Sequence, residues 1–156
     1  MADFAVHVRL QNAHRGRICQ AMVSRLPDWF GRPDAIDAYA QRAATLPMLV
    51  AMAGRKVAGF LSLRHSAGES AEIVVMAVRP EWHRQGIGRE LIRAAVALAR
   101  RQAAPQIVVR TLGPSHPDPL YQRTRAFYRA CGFRPAGETP DHWGPGTPSL
   151  LMIADP

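Results

Sequence analysis

The sequence predicts a mixed α/β domain, on three observations. Short apolar runs rich in β-branched residues alternate with longer stretches of helical spacing. Glycine and proline punctuate the joints between them. One apolar run, Ile73 to Val78, leads through a glycine-bearing link into the longest helical stretch of the chain. With 156 residues the chain is long enough to bury a real core, and a single domain over 1–156 is expected.

Phe4, Val6, Val8 and Leu10 alternate with polar or small residues, which predicts a first strand with these four on one face. Helical spacing follows from about Ala13 to Phe30, carried by Ile18, Met22 and Leu26. Gly31 and Pro33 break it, and a second helix is expected over Asp34 to Ala44, with Ile36, Tyr39 and Ala40 turned inward. Pro47 to Met52 and Val57 to Leu63 read as two strands joined by a turn at Gly54-Arg55. A second turn, Ser66 to Glu69, leads into the strand starting at Ala71, so three strands should form an antiparallel meander. Pro80 ends that third strand, because proline has no N–H to donate to a ladder.

A helix over Gly86 to Gln102 comes next, with Ile87, Leu91, Ala94, Ala95, Leu98 and Ala99 forming its apolar stripe. Gln106 to Leu112 is a further strand, and Gly113 to Pro119 a stiff loop containing three prolines. A helix over Leu120 to Ala130 should close at Gly132 as the residue just past its end. Its stripe is read as Leu120, Thr124, Phe127 and Cys131, leaving Tyr128 on a neighbouring face with Tyr121 and Arg125. Ser149 to Ile153 is the last predicted strand, after an irregular stretch over Thr139 to Pro148.

Composition limits the function classes. Hydrophobic content of 47% and charged content of 21% are ordinary for a globular chain. There is no apolar run of the roughly 20 residues that a helical membrane span requires. The opening segment lacks a basic stretch followed by an apolar one, so neither a membrane protein nor a signal peptide is expected and a cytoplasmic location is. Cys19 and Cys131 are too far apart in sequence for a CxxC pair, and the histidines have no metal-ligand spacing, so no metal is expected. The net charge of +8 admits either attraction to a polyanion or an arginine-rich surface with one phosphate site. Basic residues are scattered rather than clustered, which disfavours nucleic-acid binding as the main role.

Strand, glycine link, helix is an arrangement suited to anions. Glycines let backbone come close to a ligand, and the first N–H groups of a helix have no internal partner. A dinucleotide fingerprint fits poorly: its third glycine position is Leu91, the link begins several residues past the strand end, and Arg110 stands where an acidic partner would be expected. No Gly-Lys-Ser/Thr follows, so a P-loop fails as well.

Val78-Arg79-Pro80-Glu81-Trp82-His83-Arg84-Gln85-Gly86-Ile87-Gly88-Arg89-Glu90-Leu91 resembles the acetyl-CoA signature of the GNAT (Gcn5-related) N-acetyltransferase superfamily. Ala126-Phe127-Tyr128-Arg129-Ala130-Cys131-Gly132-Phe133 is similar to that family's second motif. The predicted order β-α-α-β-β-β-α-β-α-β is also the family's. The resemblance implies a GNAT acyl-CoA N-acyltransferase fold, a twisted and mainly antiparallel sheet with flanking helices. It implies that backbone at Met76, Ala77 and Val78 pairs with the pantetheine arm and acetyl group of acetyl-CoA, the co-substrate. It implies further that Arg84, Gln85, Gly86, Ile87, Gly88 and Arg89 hold the pyrophosphate, chiefly through their amides. Tyr128 matches the tyrosine that protonates the departing thiolate, and Glu72 resembles a strand glutamate that serves as general base. Glu72 stands four residues before Met76, roughly 13 Å of strand, so a water or an extended amine would have to carry the proton. Tyr121, seven residues before Tyr128, stands where many members have an asparagine contacting CoA.

The function expected is transfer of an acetyl group from acetyl-CoA to a primary amine by direct attack. The acceptor is a small-molecule or peptide amine, and the resemblance leaves room for a homodimer. The acidic residues Asp28, Asp34, Asp37, Asp118, Glu138 and Asp141 favour a cationic acceptor. Two other classes stay open: a non-catalytic acyl-CoA-binding regulatory module, and a basic nucleic-acid-binding protein.

Overall fold

The computed structural model describes residues 5–156, so Phe4 of the expected first strand lies outside the described residues. The elements are β1 (Val6–Gln11), α1 (Arg15–Val23), α2 (Pro33–Ala43), β2 (Met48–Ala53), β3 (Lys56–Arg64), β4 (Ala71–Val78), α3 (Ile87–Arg101), β5 (Ile107–Leu112), α4 (Pro119–Ala130), β6 (Arg134–Thr139) and β7 (Ser149–Ala154). A 3₁₀ turn at Pro80–Trp82 links β4 toward α3. The fold is mixed α/β, with flanking helices and a seven-stranded sheet in the order β1-β2-β3-β4-β5-β7-β6. β1–β2, β2–β3, β5–β7 and β6–β7 pair antiparallel, and β4–β5 pairs parallel. Parallel neighbours need a long crossover, and α3 supplies it. No helix among the described residues is long and apolar enough to cross a membrane.

The residues cluster into two compact units. One comprises the chain up to Arg64 together with Val74–Leu98; the other comprises His65–Ile73 and Ala99–Pro156.

In the first unit, Met48, Val50 and Met52 on β2 and Phe60 on β3 form an apolar layer with Val75 and Ala77 of β4. Cys19, Met22 and Val23 of α1 and Ala43 of α2 complete it, with Ile36 and Tyr39 packed at its margin. β2 and β3 are buried on nearly every residue, which is why they read as continuous apolar runs rather than alternating ones. Burial pushes the Cys19 thiol up to about 12. α1 stops at Val23, seven residues short of the expected Phe30. Pro27 explains this: its ring would clash with the Val23 carbonyl in a continuing helix. The chain instead tightens, with the Arg25 and Leu26 amides bonded to Met22 and Val23 carbonyls, and Leu26 remains buried. Leu10, expected on one face of β1 with Val6 and Val8, is 52% exposed, on a strand that forms the sheet edge.

In the second unit, Ile107 and Val109 of β5 and Leu150, Met152 and Ala154 of β7 are buried. Between α4 and β7 the chain forms a strand that the sequence did not announce. β6, Arg134-Pro135-Ala136-Gly137-Glu138-Thr139, is exposed along most of its length and carries a bulge between Pro135 and Gly137. An edge strand has no second ladder to satisfy and no buried face, so proline and glycine are tolerated in it.

Candidate donor-binding and catalytic residues

In the first unit, β4 ends in a built corner. The Arg79 amide donates to the Ala58 carbonyl at 2.8 Å, and Arg79 Nε donates to the Val57 carbonyl at 2.6 Å. A ring nitrogen of His83 meets the Val78 carbonyl at 2.7 Å, while the ring sits edge-on to Trp29. His83 is exposed, yet it fixes the strand end. No apolar or motif signal marks such a contact.

The link that follows is defined by backbone conformation. Arg84 has φ 60° and Gly86 has φ 82°, so the chain twice enters the left-handed region before α3 begins at Ile87. A glycine takes that conformation without strain, and an arginine at a loop position tolerates it at some cost. The first turn of α3 closes with the Glu90 amide on the Gly86 carbonyl at 3.0 Å. The amides of Ile87, Gly88 and Arg89 precede that bond and have no carbonyl behind them in the helix. Successive amides at the mouth of a helix form a concavity for anions, and the helix dipole adds roughly 0.3–1 kcal/mol per exposed charge. Arg84, Gln85, Gly86 and Arg89 are exposed and Gly88 is half-buried. The Gln85 side chain folds back to donate to the Glu81 carbonyl at 3.2 Å, which leaves the backbone as the loop's recognition surface.

What holds α3 at this place is close packing on the strands. Ile87 and Leu91 are fully buried. A Cβ on Gly59 would lie 3.2 Å from Ile87 Cγ2, 3.1 Å from Leu91 Cδ1 and 3.0 Å from the Ala77 carbonyl oxygen, so any side chain here would crowd this approach. On β4, Ala77 is buried while Met76 and Val78 lie half-buried on the opposite face.

Glu72 and Tyr128 belong to the second unit. Glu72 is half-buried on β4, in register with Val108 of β5. Tyr128 is held by the C-terminal turn of α4. Gly132 takes φ 96°, the Gly132 amide donates to the Arg129 carbonyl, and the Phe133 amide donates to the Tyr128 carbonyl. These are the two bonds of a Schellman motif, and its usual apolar contact is present too. The rings of Tyr128 and Phe133 lie 5.7 Å apart, with Phe127 at 5.4 Å from Tyr128. The other end of α4 is capped by Asp118, whose carboxylate accepts from the Leu120 amide at 2.9 Å.

The expected faces of α4 are exchanged. Tyr128 and Arg125 are the buried residues of this helix, at 6% and 7% exposure, while Phe127 is only half-buried. A guanidinium is not expected inside, which is why the sequence pattern placed this face beside the apolar stripe rather than within it. Arg125 is accommodated by donating from Nη1 to the Leu112 carbonyl at 2.8 Å, at the end of β5. It anchors α4 to the strand, and nothing short of the structure marks it. Close by in the same unit, Ser115 and Glu138 are hydrogen-bonded, joining the proline-rich loop to β6.

Known proteins share this fold. Residues 45–135 match the acetyltransferase (GNAT) domain family, and the chain belongs to that family. It is 31% identical over 102 residues to the uncharacterized N-acetyltransferase YvbK of Bacillus subtilis, an alignment covering 65% of this chain and 59% of that protein. The ribosomal-protein-S18-alanine N-acetyltransferase of Escherichia coli superposes with a TM-score of 0.77 at 15% identity, over 97% of this chain and 94% of that one. A GNAT family acetyltransferase from Elizabethkingia anophelis, solved with acetyl-CoA bound, superposes with a TM-score of 0.74 at 19% identity, over 97% and 98% of the two chains.

Proposed function

We propose that this protein is an N-acetyltransferase that moves an acetyl group from acetyl-CoA to a primary amine, as a single domain over 1–156. The observation that carries the reading is the pair of left-handed residues, Arg84 and Gly86, before the unpaired amides that open α3. A pyrophosphate needs several N–H donors at short range, and this loop offers them at 84–89 with no side chain required. Acetyl-CoA supplies an acyl group activated as a thioester. Backbone groups at Met76, Ala77 and Val78 are assigned to its pantetheine arm and acetyl group. The Met76 amide, as a fixed donor, is assigned to the carbonyl oxygen, where negative charge grows as the amine attacks.

In the proposed step the neutral amine forms a bond to the acetyl carbon and the carbon–sulfur bond breaks. Glu72, directly or through a water, takes the proton that the amine loses. Tyr128 gives a proton to the departing sulfur, so that amide and free thiol are the products. Support for Tyr128 comes from its caging between Phe127 and Phe133, which limits the orientations of the ring. No covalent enzyme intermediate is invoked.

The test is thiol release from acetyl-CoA in the presence of polyamines, aminoglycosides, amino acids and peptides with free N-termini. Release that depends on one amine class, with the acetylated amine seen by mass spectrometry, is the expected result. CoA binding without transfer to any amine would make the protein a non-catalytic acyl-CoA module instead.

A further inference from the structure

The sheet of the second unit has one covered face and one open face. Ile73 of β4, Val109 and Thr111 of β5 and Met152 of β7 are buried on the covered face. Alternation along each strand sends their neighbours to the other side. There Glu72, Val108, Leu151 and Ile153 are half-buried, and Arg110 is exposed. β5 lies between β4 and β7, so Arg110 is a cation on an interior strand. It is in register with Leu151, and its Nη1 donates to Ser149 Oγ at 3.4 Å. Ser149 is fully buried and pairs with Leu112, so this contact turns the guanidinium toward the C-terminal end of β5.

No carboxylate among the described residues forms an ion pair with Arg110. The acidic residues that favour a cationic acceptor are largely engaged elsewhere. Asp34 is paired with Arg32, Asp118 caps α4, Glu138 is bonded to Ser115, and Asp141 accepts from the Gly146 amide. Glu72 is in register with Val108, which places Arg110 one strand over and two residues further on, roughly 8 Å away between Cα positions. A glutamate and an arginine at that spacing on one face can converge on a ligand only a few atoms long.

We propose that Arg110 sets the acceptor class: it holds the carboxylate of a free amino acid whose α-amine is the group acetylated. The assignment rests on the acetyl transfer proposed above and names its acceptor. A guanidinium fork meets a carboxylate through two parallel N–H···O bonds. Because Arg110 is exposed, its long-range attraction is screened, and those paired bonds carry the selection. Val108 and Leu151 offer apolar surface beside it for the amino acid's side chain. The acceptor's carboxylate stays ionised and takes no part in bond making, so the step balances as written above.

The test compares free amino acids with their carboxamides as acceptors, pairs that differ in the carboxylate charge. The carboxamide's amine is the weaker base and is more often neutral, so chemistry alone favours the carboxamide. The expected result is the opposite, with kcat/KM about tenfold higher for an amino acid than for its carboxamide. Arg110→Gln should raise the amino acid's KM by about tenfold, with a smaller change in kcat, and remove the preference. Arg110→Lys keeps the charge without the fork and should fall between. Carboxamides used as well as acids by the wild type, or a KM unmoved in Arg110→Gln, would overturn the proposal.

A second readout needs no turnover. The same amino acids are titrated into the isotope-labelled chain saturated with CoA, and amide shifts are followed. Arg110 and Leu151 should move with the acid and not with its carboxamide. That movement without thiol release would sink the transferase reading and leave Arg110 as a carboxylate site. Thiol release with no preference for the acid would do the reverse. No movement at Arg110 with any amino acid would overturn the proposal.

Discussion

The loop before α3 and the tyrosine of α4 are held in place by opposite means. The loop offers backbone amides, and what fixes them is the path of the chain: two left-handed residues, then a helix pressed onto Gly59 through Ile87 and Leu91. Tyr128 offers one side chain, and what fixes it is a cage made of Phe127, Phe133, a helix-ending Gly132 and a buried Arg125 beneath the same helix. A site made of amides should tolerate new side chains but not a new backbone conformation. A site made of one hydroxyl should fail on loss of a single atom while the fold survives.

That contrast can be broken at several points. Tyr128→Phe keeps the ring and its packing and removes only the hydroxyl, so kcat should fall by roughly 10²- to 10⁴-fold, the usual reach of a general acid. Steady-state thiol release measures it, and an unchanged unfolding midpoint confirms that only chemistry was lost. Arg125→Met should destabilise the protein by about 1–3 kcal/mol in urea unfolding, since the Leu112 carbonyl loses its charged donor. If stability were unchanged, the bond to Leu112 would not be what anchors α4.

Gly86→Val forces a β-branched residue to φ 82°, at a cost of about 1–2 kcal/mol, and CoA affinity should drop by about tenfold. The Cys19 thiol, pushed up to about 12 from its usual 9.0, gives the first unit a signature in alkali. The unfolded chain ionises first, so stability held below pH 9 is lost as pH rises toward 12, by about 1.4 kcal/mol at pH 10. Cys19→Ala should remove that part of the alkaline decline, seen by comparing urea midpoints at pH 8 and pH 10. The smallest effect belongs to Gln85→Ala. Its side chain turns back to Glu81, so CoA affinity should change by less than about twofold.

The same contrast explains which features could be read from the residues. β2, β3 and β4 were legible because burial writes itself as unbroken apolar runs, and the Arg84 to Arg89 loop because glycine next to a helix start has few uses. Gly132 was legible for the same reason. β6 was not, because an exposed edge strand containing Pro135 and Gly137 carries no alternation. The inner face of α4 was misread because its buried members include an arginine, and hydrophobic periodicity has no term for a guanidinium satisfied by a carbonyl. α1 ended early because Pro27 outweighed the spacing of Ile18, Met22 and Leu26. His83 left no trace, since its bond to Val78 depends on the turn at Pro80–Trp82 that brings it back.

The most direct test of the donor assignment is an amide chemical-shift titration of the isotope-labelled chain with CoA. The largest changes should fall on Met76 to Val78 and on Arg84 to Arg89. Residues outside the assigned groups, Arg17 of α1 and Lys56 of β3 among them, should move little. Shifts concentrated at Arg17 and Lys56, with the amides of Gly86, Ile87 and Gly88 unmoved, would contradict the account.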